Sequence, residues 1–136
     1  QKAAEAGDAA AMCNLGGLYL KGNGADQNYE KAAEWYQKAA EAGNAAAMNN
    51  LGVLYEGGNG VEQSYEKAIE WYTQAAEAGV AVAMNTLGEL YENGKGVEQN
   101  YEKAIEWYKL ALEHGYSSAQ ESVERVQQAL QNANGN

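Results

Sequence analysis

Apolar side chains recur along this chain at helical intervals, and no stretch predicts a strand. Ala11, Met12, Leu15, Leu18 and Tyr19 fall on one face of a helix, helix A, that starts after Asp8 and ends near Gly22-Asn23-Gly24. Asp8, and Asn44 in the same phase, suit an N-cap, and the glycines supply the positive dihedrals of a tight reversal. A second stripe, Tyr29, Ala32, Ala33, Tyr36, Ala39 and Ala40, predicts helix B, which Gly43 closes. Continued along the chain, the pattern places helix A at about 8–21, 44–57 and 80–93, and helix B at about 28–42, 64–78 and 100–114.

The pattern repeats with a period of 36 residues. Glu-Trp-Tyr stands at 34–36, 70–72 and 106–108, Leu-Gly at 15–16, 51–52 and 87–88, and the tyrosines Tyr19, Tyr55 and Tyr91 keep the same step. Adjacent units agree at 25 of 36 positions, as recent duplication or consensus design would produce. A fixed period of this length predicts an all-α solenoid of helix-turn-helix repeats, each burying its apolar face against its neighbours. One repeat domain is expected, with a partial helix B at 1–6, repeats at 7–42, 43–78 and 79–114, and a capping helix within 115–136. Residues 1–6 match 37–42, the end of a helix B, so the chain reads as a fragment cut inside a repeat. The cap, Ser117 to about Ala133, keeps Ala119 in phase with Ala11 but turns polar at Gln127, Gln128, Gln131 and Asn132, as a terminal helix facing water requires. Gly16, Gly52 and Gly88 lie inside helix A at a cost of about 1 kcal/mol each relative to alanine. A close helix crossing is the expected reason.

The formal net charge is −10, carried by glutamates spread over helix faces, so attraction to phosphate backbones is not expected. Cys13 is the only cysteine, which excludes an intramolecular disulfide and leaves packing to hold the fold. No apolar run approaches the roughly 20 residues of a membrane span, so no membrane insertion is expected. The compartment stays open between cytoplasm and bacterial envelope or secretion. No histidine and cysteine cluster suggests zinc, no alternating aspartates suggest calcium, and neither metal nor cofactor is expected. Because nearly every polar residue occurs in triplicate, a unique catalytic constellation is not expected either, and the chain reads as a non-enzyme with no catalytic residues. His114, at the end of the last helix B, suits a C-terminal cap, and Trp35, Trp71 and Trp107 read as repeat packing.

The string Ala11-Met12-Cys13-Asn14-Leu15-Gly16-Gly17-Leu18-Tyr19, then Gly22-x-Gly24, Tyr29-Glu30-Lys31-Ala32 and Trp35-Tyr36-x-x-Ala39-Ala40-x-x-Gly43, resembles the Sel-one-like repeat family, relatives of the tetratricopeptide repeat. The resemblance covers nearly all of residues 1–119. It implies a right-handed superhelix of helix pairs and an adaptor role in holding proteins together. The proline many members carry after the loop valine is missing at Val61-Glu62-Gln63 and Val97-Glu98-Gln99, and the cysteine pairs of some bacterial members are absent. Those disulfide-rich relatives carry a link to penicillin-like ligands, for which no supporting residues stand here.

Once the core positions of helix A are set aside, a stripe remains. It comprises Ala10, Cys13, Asn14, Gly17 and Leu20, then Ala46, Asn49, Asn50, Val53 and Glu56, then Val82, Asn85, Thr86, Glu89 and Glu92. The units differ most here. In helix-pair solenoids the A helices line the concave side, so Cys13, Asn14, Gly17, Asn49, Asn50, Val53, Glu56, Asn85, Thr86, Glu89 and Glu92 are the expected partner-binding residues. The asparagines suit a peptide backbone, as the resemblance to tetratricopeptide proteins implies, and the glutamates suit a partner carrying basic residues. A protein or peptide partner bound by a monomer is the leading reading. A structural or designed array with no dedicated ligand is the alternative.

Overall fold

A computed structural model describes residues 2–22 and 27–134, the side chains of 2–7 excepted. Seven helices run in order: α1 (Lys2–Lys21), α2 (Tyr29–Glu41), α3 (Ala45–Gly57), α4 (Tyr65–Glu77), α5 (Ala81–Asn93), α6 (Tyr101–Glu113) and α7 (Ala119–Asn134). No strand occurs among the described residues, so the expected all-α class holds. From α2 onward the expected ends agree to within about two residues. Part of the first expected turn, Asn23 and Gly24, lies outside the described residues.

The ends fall where side chains can satisfy the orphan amides of a first turn. Asn44 Oδ1 accepts from the Ala47 N–H at 2.8 Å, Asn28 and Asn100 do the same for Lys31 and Lys103 at 3.0 Å, and Ser64 Oγ accepts from Lys67 at 3.2 Å. At the end of α2, Gly43 has φ +97°, and the N–H groups of Gly43 and Asn44 reach back to the carbonyls of Ala40 and Ala39 at 2.9 Å. In the loop after α3, Gly60 takes φ +77° and lies against the Tyr29 carbonyl with no room for a Cβ.

The chain forms two compact units, 1–75 and 76–136. In the first, Ala32, Ala33, Tyr36, Ala39, Ala40, Ala47, Leu51 and Leu54 make a buried cluster flanked by Met12, Tyr19, Met48, Val61 and Trp71. Helices A and B meet through one device. An added Cβ would stand 2.8 Å from the Tyr36 ring at Gly16, and also 2.8 Å from the Tyr72 ring at Gly52. In the second unit Gly88 meets Tyr108 at 2.7 Å in the same way. The close approach expected at these glycines is therefore present, and its occupant is a tyrosine ring from helix B.

Two expectations for the first helix fail. Asp8 is not an N-cap, because α1 runs unbroken from Lys2 through Gly7. The alanine-rich segment Ala3-Ala4-Glu5-Ala6 favours helix strongly enough to carry the chain across a single glycine. Leu15 and Leu18, expected in the core, are 37 % and 45 % exposed, whereas their equivalents Leu51 and Leu54 are 0 % and 3 % exposed. Among the described residues α1 packs chiefly against α2, so this face has no second helix over it.

In the second unit the cap behaves as expected. α7 buries Ala119, Val123 and Val126 and leaves Gln127, Gln128, Gln131 and Asn132 exposed. It is pinned by charge as well: Arg125 donates to Glu92 through Nη2 at 2.7 Å and Nε at 3.1 Å, and the Tyr108 hydroxyl donates to the same carboxylate at 2.6 Å. Burial works to raise the Glu92 pKa, but the Arg125 and Tyr108 hydrogen bonds and the Arg125 charge outweigh it and leave the pKa lowered. Burial and the Glu92 carboxylate together hold Tyr108 far above the ordinary phenol range.

Leu51→Ala is expected to cost about 2–5 kcal/mol, and Leu15→Ala, at the same position on the open face, about 1 kcal/mol or less; chemical denaturation of the two variants checks the difference. Gly52→Ala should destabilise by about 1–2 kcal/mol, because the clash with the Tyr72 ring exceeds the helix-propensity gain. Gly17→Ala should be neutral or stabilising, since its Cβ would lie 3.6 Å from the Tyr36 hydroxyl, an ordinary contact. Because the Glu92 pKa is lowered on folding, its stabilisation is present at neutral pH and lost as pH falls through the folded-state value. Glu92→Gln should therefore cost about 1 kcal/mol at pH 7, and the gap between the melting curves of variant and parent should close as pH falls through the folded-state value.

Candidate functional site

In the first unit, part of the sequence-derived stripe lines an open cleft of about 600 Å³. α1 supplies Cys13, Asn14, Gly17, Leu18, Leu20 and Lys21, α2 supplies Tyr36, and α3 supplies Asn50. Helical spacing puts Cys13, Asn14, Gly17, Leu20 and Lys21 on one side of α1, and the seating of Tyr36 against Gly16 brings the phenol beneath them. Four of the expected residues, Cys13, Asn14, Gly17 and Asn50, thus meet in one place. Leu18, Lys21 and Tyr36 were not among those expected.

Among the described residues the lining is mostly neutral, with Lys21 its one charged residue. Asn14 is exposed and Asn50 half-buried, so both amides can reach a bound chain. Cys13 is half-buried, and desolvation raises its thiol pKa, which disfavours the reactive thiolate. Burial, followed by the neighbouring Cys13, raises the pKa of Tyr36, so its hydroxyl keeps its proton at neutral pH. The Gln27 side chain donates to the Leu20 carbonyl at 2.8 Å, and Asn28 N–H to the Tyr19 carbonyl at 2.8 Å, which fixes the end of α1 that forms the rim.

The rest of the stripe is less available than expected. Val53 is 49 % exposed, as expected, but the Asn49 Oδ1 is buried without a hydrogen-bond partner among the described residues. Glu56 accepts the Tyr72 hydroxyl at 2.7 Å and is half-buried rather than exposed. In the second unit Asn85 is only 8 % exposed, and its Oδ1 too lacks a partner among the described residues. An interior helix is covered over a wider arc than one amphipathic stripe, and position 85 falls inside that arc. Thr86 turns its hydroxyl to the Val82 carbonyl at 2.9 Å, and Glu92 is bound by Tyr108 and Arg125. Glu89 is exposed. Glu92 and Asn85, expected to face a partner, are thus taken into the fold.

Elsewhere, a cleft of about 340 Å³ lies beside α2, lined by residues including Glu30, Glu34 and Val61, and one of about 380 Å³ lies on α6 beside Trp107 and Leu110. The tryptophans are half-buried, with the Lys38 ammonium 4.8 Å from the centre of the Trp35 ring. His114 caps α6, its Nδ1 lying 3.0 Å from the Leu110 carbonyl. Among the described residues no group of three acidic, cysteine or histidine side chains could hold a metal, and no helix is long and apolar enough to cross a membrane.

The Sel1 repeat model matches residues 9–44, 45–80 and 81–116, the same 36-residue period displaced by two positions from the frame read in the sequence. A Sel1 repeat protein from Oxalobacter formigenes is similar in structure at a TM-score of 0.81 and 42% identity over 85% of this chain and 48% of its own. A protective antigen of uropathogenic Escherichia coli strains, described as displaying an SLR fold, gives 0.80 and 40% identity over 86% of this chain and 25% of its own. Helicobacter pylori cysteine rich protein B gives 0.70 and 26% identity, covering 83% of this chain and 87% of that protein. The chain therefore spans about half and a quarter of the length of the first two. Comparison with curated protein sequences finds no match. Three consecutive matches across most of its length, with the same helix-pair architecture, mean that the chain belongs to the Sel1 repeat family.

Proposed function

We propose that this chain is a non-enzymatic, monomeric interaction module that binds a segment of another protein in the cleft between α1 and α3. Sel1 repeats are in general protein-interaction modules. The observation that carries the reading here is the convergence of Asn14, Asn50 and Gly17 on one open cleft of about 600 Å³, with apolar Leu18 and Leu20 beside them. Asparagine amides can donate to and accept from a peptide backbone, Gly17 lets that backbone approach, and the leucines take an apolar side chain. The binding is modest, because so short a groove offers few anchors.

The partner carries basic residues overall. A net charge of −10 attracts such a chain over distance even though Glu56 and Glu92 are engaged inside the fold. Thr86 and Glu89, on α5, add exposed or half-exposed polar surface in the second unit.

The test is amide-shift mapping with a peptide of about 12 residues selected from a random display library, a length that matches a short groove. Perturbations are expected at Cys13, Asn14, Gly17 and Asn50. Asn14→Ala and Asn50→Ala should each weaken binding about fivefold, the value of one modest hydrogen bond, and affinity should fall as salt rises. Perturbations confined to Glu34, Glu70 and Glu106 on the B helices would rule the cleft out.

A further inference from the structure

The three repeats carry the same buried tyrosine but do not treat its hydroxyl alike. Tyr72 donates to Glu56 at 2.7 Å, and Tyr108 donates to Glu92 at 2.6 Å. In both cases the acceptor lies 16 residues before the tyrosine, on the last turn of the preceding helix A. The equivalent of Glu56 and Glu92 in the first repeat is Leu20, which cannot accept a hydrogen bond. Tyr36 is only 2 % exposed, and its hydroxyl has no hydrogen-bond partner among the described residues. It is also not sealed off. Tyr36 lines the cleft, and the space above its hydroxyl is open because Gly17 stands where the other repeats have Val53 and Glu89.

We infer that the cleft contains a carboxylate subsite, in which an acidic group of the bound peptide takes the place that Glu56 and Glu92 fill in the other two repeats and accepts the Tyr36 hydroxyl. The inference rests on the proposed peptide-binding cleft and names the group recognised there. The chain supplies its own template for the contact: a glutamate side chain at 2.6–2.7 Å from a tyrosine hydroxyl seated on a helix glycine. In the second unit Arg125 adds a cation to that arrangement at 2.7 Å. Lys21, the one charged residue among the described residues that line the first-unit cleft, can play that part for an incoming carboxylate, and none of those described residues is acidic. The hydroxyl opens to the cleft, so a carboxylate that displaces water there gains a charge-assisted hydrogen bond in a partly desolvated place, where it is worth more than on an open surface. The net charge of −10 opposes a wholly acidic partner, so the fitting ligand is a segment with basic residues around a single carboxylate.

The experiment uses three synthetic peptides with alanine spacers, two lysines and an acetylated N-terminus. One has a central glutamate and an amidated end, the second a central glutamine and an amidated end, and the third a central glutamine and a free terminal carboxylate. Binding is read from amide shifts of Asn14, Gly17 and Asn50. The glutamate peptide, the free-terminus peptide or both should bind about tenfold more tightly than the neutral one, and which of them does so identifies a side-chain or a chain-end carboxylate. Tyr36→Phe, which keeps the ring on Gly16, should erase that preference. Leu20→Glu should erase it too, by filling the subsite from within, and should raise the melting temperature. Equal binding of all three peptides with shifts at Asn14 and Asn50 would overturn the carboxylate subsite while leaving the peptide cleft standing. A preference that survives Tyr36→Phe would overturn it as well, and shifts only on the B helices would remove cleft and subsite together.

Discussion

One contact organises each helix pair: a tyrosine ring of helix B laid against a glycine of helix A. Tyr36 on Gly16, Tyr72 on Gly52 and Tyr108 on Gly88 leave no space for a Cβ, and the three tyrosines are among the most buried side chains of the chain. The price is a helix-weakening glycine in the middle of every A helix. The return is a large aromatic surface removed from water and a fixed crossing point between helices that otherwise pack through alanines. Because the ring is wide and rigid, the contact also sets where the hydroxyl emerges, at the last turn of helix A. The packing device and the chemistry of the site are the same side chain.

That coupling explains how one fold yields both closed and open versions of a site. Where the last turn carries glutamate, the hydroxyl is satisfied internally and the carboxylate becomes structural. At Glu92 it gains Arg125 from α7, so α7 is fastened to α5 through the same position. Where the last turn carries Leu20, the carboxylate is missing and Gly17 leaves the space beside the hydroxyl empty. A repeat architecture allows such differences at low cost, since each unit keeps its own core while individual surface positions drift.

What covers a helix differs between α1, α3 and α7. α7 ends the chain with an amphipathic face that buries Val123 and Val126 and turns glutamines to water. α1 retains the apolar pattern of an interior helix, with Leu15 and Leu18 exposed at positions that are buried in α3. The same residue type at the same phase therefore has two energetic roles, decided by whether a second helix covers it.

The sequence alone determined the helices, their period, the family resemblance and the reason for the helix glycines. These are local or periodic properties: amphipathic spacing, asparagine and serine caps, and glycine reversals act within a few residues, and threefold repetition makes them stand out. The cleft was partly legible, since Cys13, Asn14, Gly17 and Asn50 lie on the stripe left over after core assignment. Tertiary structure decided the rest. It buried Asn85, bound Glu56 and Glu92 to tyrosines, continued α1 through Gly7, and made Tyr36, a core residue, the floor of a cleft as well. A side chain's surroundings depend on helices distant in the chain, and a hydrophobic pattern records which face is apolar without recording what covers it. The substitution of leucine for glutamate at position 20 was visible from the start; only the placement of Tyr36 beside it gave that difference a chemical meaning.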